Sequence, residues 1–142
     1  SAVFSNTSTR LLTASGDKTA RVWDVASGDE VLCLRGHTSR VWSASFSSDV
    51  QLIATVSEDS TVRLWNAQTG EELRILKGRT RIVNSVCFSA DNTRLASAST
   101  DIRLWDLRHR HPGGLRLIRD HALTESSKEL NRSRQSNLTR FT

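Results

Sequence analysis

The stretch that decides the fold is Val56-Ser57-Glu58-Asp59-Ser60-Thr61-Val62-Arg63-Leu64-Trp65-Asn66. A copy stands 42 residues earlier as Ala14-Ser15-Gly16-Asp17-Lys18-Thr19-Ala20-Arg21-Val22-Trp23-Asp24. A shorter copy follows as Ala98-Ser99-Thr100-Asp101-Ile102-Arg103-Leu104-Trp105-Asp106. Phenylalanines followed by serine keep the same phase, at Phe4, Phe46 and Phe88. A fixed period of this length is the signature of a repeat architecture, so the fold follows from what one copy builds.

Each period contains four short runs of β-prone residues separated by turn residues. In the middle copy the predicted strands are Val41–Phe46, Leu52–Ser57, Thr61–Asn66 and Leu73–Leu76. Four antiparallel strands in about 40 residues make one blade of a β-propeller. A blade has two apolar faces and cannot bury both by itself, so the blades are expected to stack on one another.

These repeats resemble a known family. A Gly-His pair, a Ser-x-Asp before the third strand and a Trp-Asp at its end are similar to the WD-repeat signature, and Gly36-His37, Trp23-Asp24 and Trp105-Asp106 match it directly. The resemblance covers about residues 2–121 and implies an all-β fold of about three propeller blades, open or incomplete. The predicted units are a partial blade at 1–36, a complete blade at 37–78, a degenerate blade at 79–121 and a basic, disordered tail at 122–142.

The copies depart from the pattern in several places, and in the middle copy Asn66 replaces the final aspartate. Gly78-Arg79 stands where Gly-His is expected, and the third copy lacks two residues between Asp101 and Trp105. A propeller typically closes with about 4–8 blades, so three blades leave two apolar faces uncovered. A fragment of a longer protein is the favoured explanation; a ring completed with another chain and an isolated three-blade monomer are the alternatives.

The middle copy contains the three residue types of a hydrolytic triad, His37, Ser57 and Asp59. The family resemblance implies a different role, a buried structural hydrogen-bond chain that these residues form with Trp65. A nucleophilic serine would also need an exposed hydroxyl and an oxyanion hole, and the sequence contains no Gly-x-Ser-x-Gly turn between a strand and a helix. We therefore expect no enzyme activity. The corresponding network residues of the outer copies are Ser15, Asp17 and Trp23, and Ser99, Asp101 and Trp105.

The resemblance places partner binding on the upper face of the propeller. The positions lie three and five residues after the histidine and immediately before the turn aspartate. In this chain they are Arg40, Trp42 and Glu58 in the middle copy, Ile82, Asn84 and Thr100 in the third, and Gly16 in the first. Arginine and tryptophan are common interface anchors, although Trp42 could instead pack between blades and Arg40 could be a solvated charge.

The implied function is a scaffold that binds other proteins or peptides and assembles complexes. The alternative is the propeller module of a larger protein, such as a ubiquitin-ligase substrate receptor, or a kinase or ATPase with a WD-repeat array. Residues 1–106 carry 12 Lys/Arg against 12 Asp/Glu, and residues 107–142 carry 8 against 3, so only the tail is basic. Nucleic-acid binding through that tail is a weaker alternative because no aromatic residues are interleaved with its arginines.

Several other classes of function are not expected. Cysteine and histidine are too few at ligand spacing for a zinc site, so we predict no metal, no cofactor and no small-molecule substrate. Cys33 and Cys87 lie in apolar strand patterns and are predicted to be buried free thiols. No apolar run approaches the roughly 18–20 residues of a membrane span, and Ser1–Arg10 does not resemble a signal peptide. The expected location is intracellular, in the cytoplasm or the nucleus.

Overall fold

A computed structural model describes residues 1–77 and 82–108 and the backbone of residues 117–121. The regular elements of these residues are all β-strands, which confirms the predicted fold class. In chain order they are β1 Ala2–Phe4, β2 Arg10–Ala14, β3 Ala20–Asp24, β4 Glu30–Leu34, β5 Val41–Phe46, β6 Leu52–Ser57, β7 Val62–Asn66, β8 Glu72–Leu76, β9 Ser85–Phe88, β10 Arg94–Ala98, β11 Ile102–Asp106 and β12 Leu117–His121.

The strands form three antiparallel sheets, each made of four consecutive strands. The sheets β1–β4, β5–β8 and β9–β12 are the first, second and third blades. The four strands predicted for the middle copy agree with β5–β8 to within one residue at each end. The central hairpin of the third blade is the short one: Ala98 pairs with Ile102, whereas Ala14 pairs with Ala20 in the first blade.

Each blade presents two different faces, because side chains alternate across a strand. We call the face that carries the tryptophan of the third strand the tryptophan face, and the opposite one the aliphatic face. The first apolar layer joins the aliphatic face of the first blade to the tryptophan face of the second; its buried members are Leu12, Ala20, Val22, Leu34, Val41, Ala44, Ile53 and Trp65. The second layer repeats the arrangement between the second and third blades, with Ala54, Val56, Val62, Leu64, Leu76, Val83, Val86, Leu95 and Trp105.

The prediction that both cysteines are buried is wrong. Cys33 is half-buried and Cys87 is exposed. Cys33 lies opposite Arg21 on the tryptophan face of the first blade, and Cys87 lies opposite Ala96 on the aliphatic face of the third. Both thiols are therefore on the end faces of the stack, which no other blade of the described residues covers.

The turns between the strands recur at equivalent positions with nearly the same backbone angles. Ser8, Val50 and Asn92 occupy the same position in the first turn of each blade and have φ angles of 56°, 57° and 56°. Gly28 and Gly70 share a second such position, with φ of 79° and 75°. A positive φ suits glycine and asparagine and is unfavourable for a β-branched residue, so Val50 is the strained member of its set.

Some predicted features lie outside the described residues. These are Arg79, the tail at 122–142 and its expected disorder. Within the described residues no helix is long and apolar enough to cross a membrane.

Candidate partner-binding face and the network beneath it

A hydrogen-bond chain runs through the middle blade from its tryptophan to its turn aspartate. The Trp65 indole N–H donates to Thr55 Oγ1 at 2.8 Å, and Thr55 Oγ1 lies 2.8 Å from Nε2 of His37. His37 Nδ1 is 2.8 Å from Oδ2 of Asp59. Because a carboxylate only accepts, Nδ1 carries the proton and Nε2 accepts the Thr55 hydroxyl. Each donor in the chain thus has an acceptor.

Asp59 anchors this chain to the turn between β6 and β7. Its other donors are the Thr61 amide and hydroxyl, at 2.9 and 2.6 Å, and the Thr38 amide, at 3.0 Å. Burial raises the pKa of Asp59, but the hydrogen bonds from Thr61, His37 and Thr38 outweigh it and lower the pKa to about 2. Burial lowers the pKa of His37 in spite of the neighbouring carboxylate. The pair is therefore a neutral imidazole beside a charged carboxylate at neutral pH.

Thr55, which the predicted network did not include, takes the position between His37 and Trp65. The Ser57 hydroxyl instead donates to the Ser39 carbonyl, at 3.1 Å, and accepts from the Asp59 amide, at 3.1 Å. Both residues are on the same face of β6, but Trp65 pairs with Ile53, so Thr55 is its diagonal neighbour and Ser57 lies a further step away. Ser57 thus shapes the turn and does not touch the tryptophan.

The described contacts of the outer blades include the first step of this hydrogen-bond chain. Trp23 donates to Thr13 at 2.9 Å, and Trp105 donates to Ser97 at 3.0 Å. In the first blade Ser15 accepts from the Asp17 amide at 3.2 Å. In the third, the Ser99 amide donates to the Asp101 carbonyl, and the Asp101 carboxylate is 3.6 Å from the Arg103 guanidinium. The missed hydroxyl residues had a signal: Thr13, Thr55 and Ser97 recur with the period of 42.

The geometry does not support a hydrolytic triad. The hydroxyl beside His37 belongs to Thr55, which is fully buried and already accepts the Trp65 indole N–H. A nucleophile needs an open path for the substrate and a nearby oxyanion hole. The arrangement can hold blades together, but no substrate can reach it. No group of three or more metal-ligating side chains occurs in residues 1–77 and 82–108.

Next to the turn that Asp59 stabilises lies a patch of exposed residues, which we call the upper-face patch. It consists of Gly16, Arg40, Trp42 and Glu58. The Arg40 guanidinium lies over the Trp42 ring, 5.1 Å from its centroid. A Cβ atom at Gly16 would be 3.3 Å from Nε of Arg40, so the arginine rests against the first blade. The Glu58 amide donates to the Arg40 carbonyl at 3.0 Å, which ties the patch to the turn that Asp59 stabilises.

A β-bulge presents Trp42 at this surface. Val41 pairs with Ser57 and Ser43 pairs with Val56, so Trp42 is the additional residue of β5. Bulges redirect side chains, which explains why Trp42 is 39% exposed while Val41 beside it is 2% exposed. Trp42 therefore offers part of its surface to solvent, and its role in binding stays a prediction.

The third blade contributes exposed residues at the matching positions. Ile82 is 40% exposed, and Asn84 and Thr100 are exposed as well. The Asn84 amide donates to the Ala98 carbonyl at 2.9 Å, which fixes the start of β9 against β10. In the part of the chain that the structure describes, no side-chain hydrogen bond, ion pair or ring contact joins these three residues to the upper-face patch.

A family model described as "WD domain, G-beta repeat" matches residues 1–24, 28–66 and 70–106. The chain is a WD-repeat protein. A curated relative, Ribosome assembly protein 4 of Chaetomium thermophilum, is 52% identical to it over 42 residues. That alignment covers 30% of the WD-repeat chain and 8% of the relative, about the length of one blade.

Proposed function

We propose that this WD-repeat chain is a non-catalytic scaffold that binds partner proteins or peptides through its upper-face patch. One observation carries the proposal. The Arg40 guanidinium is exposed and lies over the Trp42 ring, 5.1 Å from its centroid, yet no carboxylate of the described residues lies within 4 Å of it. Arginine has five N–H donors. An arginine side chain that is already oriented but has no ion-pair partner loses little conformational entropy when it binds one.

The chemistry of the patch indicates what it would recognise. Arg40 suits a carboxylate, Trp42 offers apolar area beside it, and Glu58 offers a negative charge whose Oε2 already accepts from Ser39 at 2.9 Å. Interface anchors are most often arginine and aromatic residues of this kind. The expected partner segment therefore carries an acidic residue next to an apolar side chain, with a basic residue following.

Affinity capture with alanine variants tests the site. Trp42→Ala and Arg40→Ala should each reduce the amount of captured partner at least about tenfold, because anchors contribute more than about 1–2 kcal/mol. Leu73→Ala is the matched control, since Leu73 is 40% exposed but lies on the outer strand β8. Far-UV circular dichroism checks that all three remain folded. Capture that Trp42→Ala leaves unchanged, or that Leu73→Ala reduces equally, would contradict the proposal.

The match to Ribosome assembly protein 4 supports a role in building a larger complex, inside the cell and in the nucleus or cytoplasm. The relative is far longer than the matched segment, which also supports the second candidate, a propeller module of a larger protein. The two candidates differ in whether the complete protein also carries other domains, such as a catalytic one. Both assign this chain the same binding face. No enzyme activity, cofactor or small-molecule substrate is part of the proposal.

A further inference from the structure

Three exposed cations lie next to one another where the first blade meets the second. They are Lys18 in the turn between β2 and β3, Arg35 directly after β4, and Arg40 directly before β5, and we call them the basic row. No carboxylate of the described residues lies within 4 Å of any of these side chains. The row therefore carries three positive charges that have no ion-pair partner in the described residues.

The strand pairing of the first blade brings Lys18 and Arg35 to the same corner of the sheet. The β3–β4 ladder ends with the pair Ala20 and Leu34, and the two cations lie just beyond this pair. Paired Cα atoms of antiparallel strands are about 4.5–5.5 Å apart, so long side chains at these positions reach the same bound segment.

Contacts across the junction hold Arg40 beside these two residues. The Val41 amide donates to the Ser15 carbonyl at 3.1 Å, which bonds the start of β5 to the turn that carries Lys18. Nε of Arg40 would be 3.3 Å from a Cβ atom at Gly16 in the same turn. The basic row is therefore one surface, although its members come from three segments of the chain.

The carboxylates near the basic row make contacts within the chain. Asp17 Oδ2 pairs with the Arg21 guanidinium at 3.0 Å. Glu58 belongs to the second blade, and its Oε2 accepts from Ser39 at 2.9 Å. Charge is thus divided across the junction, with unpaired cations on the first-blade side of Arg40 and one exposed carboxylate on the second-blade side.

The basic row is not needed to build a blade. Residues that form the strands and turns recur with the period of 42, but the row does not. One period later its positions hold Ser60, Lys77 and Ile82. A charge cluster that only one copy carries indicates binding and not folding.

We propose that the basic row binds an acidic segment of the partner protein, in an extended conformation that runs from the first blade toward Trp42 and Glu58. This inference rests on the proposed function, because it lengthens the same binding site. Cations on three separate backbone positions suit carboxylates spaced along a peptide, in which alternate side chains lie about 6–7 Å apart. The acidic end of the segment lies over Lys18 and Arg35, and its basic residue meets Glu58.

A nucleic acid is the other polyanion that a basic row could bind. Its phosphates are negative along the whole strand, so the exposed Glu58 carboxylate repels it. Single strands also bind by stacking their bases on aromatic rings. The upper-face patch has one such ring, Trp42, and Arg40 already lies over it. The charges and the ring both favour a protein segment.

Selection from a phage-displayed library of random peptides tests the proposal, with the whole 142-residue chain as bait. The selected peptides should be enriched in aspartate and glutamate relative to the unselected library. Their binding, measured by fluorescence anisotropy, should weaken as the salt concentration rises, because salt screens exposed ion pairs. Selected peptides without this acidic enrichment overturn the proposal.

The double variant Lys18→Gln/Arg35→Gln removes the two first-blade cations and leaves the upper-face patch intact. The dissociation constant of a selected peptide should rise about 3- to 10-fold, as expected for the loss of two exposed ion pairs. The control Arg74→Gln/Arg94→Gln removes two exposed cations from β8 and β10 and should bind as the unmodified chain does. Equal weakening in both double variants overturns the proposal, because net charge alone then attracts the peptide.

Trp42→Ala separates failure of this proposal from failure of the proposed function. Peptides that lose affinity in Trp42→Ala but not in Lys18→Gln/Arg35→Gln leave the upper-face patch as the binding site and overturn only the basic row. Peptides whose affinity does not depend on Trp42 overturn both. Single-stranded RNA that binds the unmodified chain more tightly than the selected peptides assigns the row to nucleic acid, and that result also overturns the proposal.

Discussion

The first and second blades carry similar residues on their tryptophan faces but differ in how far the described hydrogen bonds run. In the second blade the chain connects Trp65 to Asp59 through Thr55 and His37. In the first blade Trp23 donates to Thr13, and the Thr13 hydroxyl donates to the Arg21 carbonyl at 3.5 Å. The histidine makes the difference. His37 stands between β4 and β5, so it follows the first blade in sequence but completes the network of the second.

The turn aspartates of the two blades have different partners, because only the second blade has the histidine. Oδ2 of Asp59 accepts from His37, whereas Oδ2 of Asp17 pairs with the Arg21 guanidinium at 3.0 Å. Arg63, the counterpart of Arg21, pairs with Glu72 and leaves its buried Nε without a partner in the described structure. The histidine therefore ties the segment between β4 and β5 to the second blade, and Asp17, which lacks such a histidine, pairs with an arginine of its own blade.

Replacing the tryptophan of the third strand by alanine should give the largest difference between the two blades in the loss of unfolding free energy. Trp65→Ala empties a buried site in the first apolar layer and should cost about 3–5 kcal/mol of unfolding free energy. Trp23→Ala should cost about 1 kcal/mol, because Trp23 is only half-buried. Urea unfolding at concentrations that keep the chain monomeric measures both. Equal losses would show that the end face is already covered.

Removing the shared hydroxyl should have the next largest effect. Thr55→Val leaves the Trp65 indole N–H and the His37 ring nitrogen without partners in a buried site, at a cost of about 2–3 kcal/mol. Thr13→Val removes the acceptor of one half-buried donor and should cost less than about 1 kcal/mol. Thr55→Ser is the control, since it keeps the oxygen. A Thr55→Val loss no greater than that of Thr13→Val would contradict the four-residue network.

The network should also make the chain sensitive to acid in two steps. The pKa of His37 is lowered from 6.5, so the unfolded chain binds the proton more readily and stability falls as the pH drops below about 6.5. The pKa of Asp59 is lowered from 3.8 to about 2, so its contribution is present above pH 3.8 and is lost toward pH 2. The second step should be about 2 kcal/mol.

Unfolding free energies measured from pH 8 to pH 2 check both steps. His37→Gln should abolish the first step, because glutamine does not titrate there. Stability that rises between pH 7 and pH 5 in the unmodified chain would contradict the assignment of a neutral imidazole.

Periodicity alone was enough to predict the blades and their strands, because it places apolar residues and turns in phase without reference to distant contacts. It could not separate Thr55 from Ser57, since both hydroxyls are on one face of β6 and only the pairing of β6 with β7 decides which meets Trp65. Nor could it predict the exposure of Cys87, which depends on whether another blade follows the third. Exposure of the seven predicted upper-face positions agrees with the resemblance, but their role in binding remains a prediction.

The smallest expected effect on the unfolding free energy comes from the turns, where two blades place different residues at the same position. Val50 and Asn92 hold the same turn position with nearly the same positive φ, 57° and 56°. Asparagine tolerates this region, whereas a β-branched side chain pays a steric cost of about 1–2 kcal/mol. Val50→Asn should therefore raise the unfolding free energy by about 1 kcal/mol, and the reverse change Asn92→Val should lower it by a similar amount. Asn92 Oδ1 also accepts from the Ser48 amide at 2.9 Å, so a loss in Asn92→Val larger than the gain in Val50→Asn measures that contact between blades.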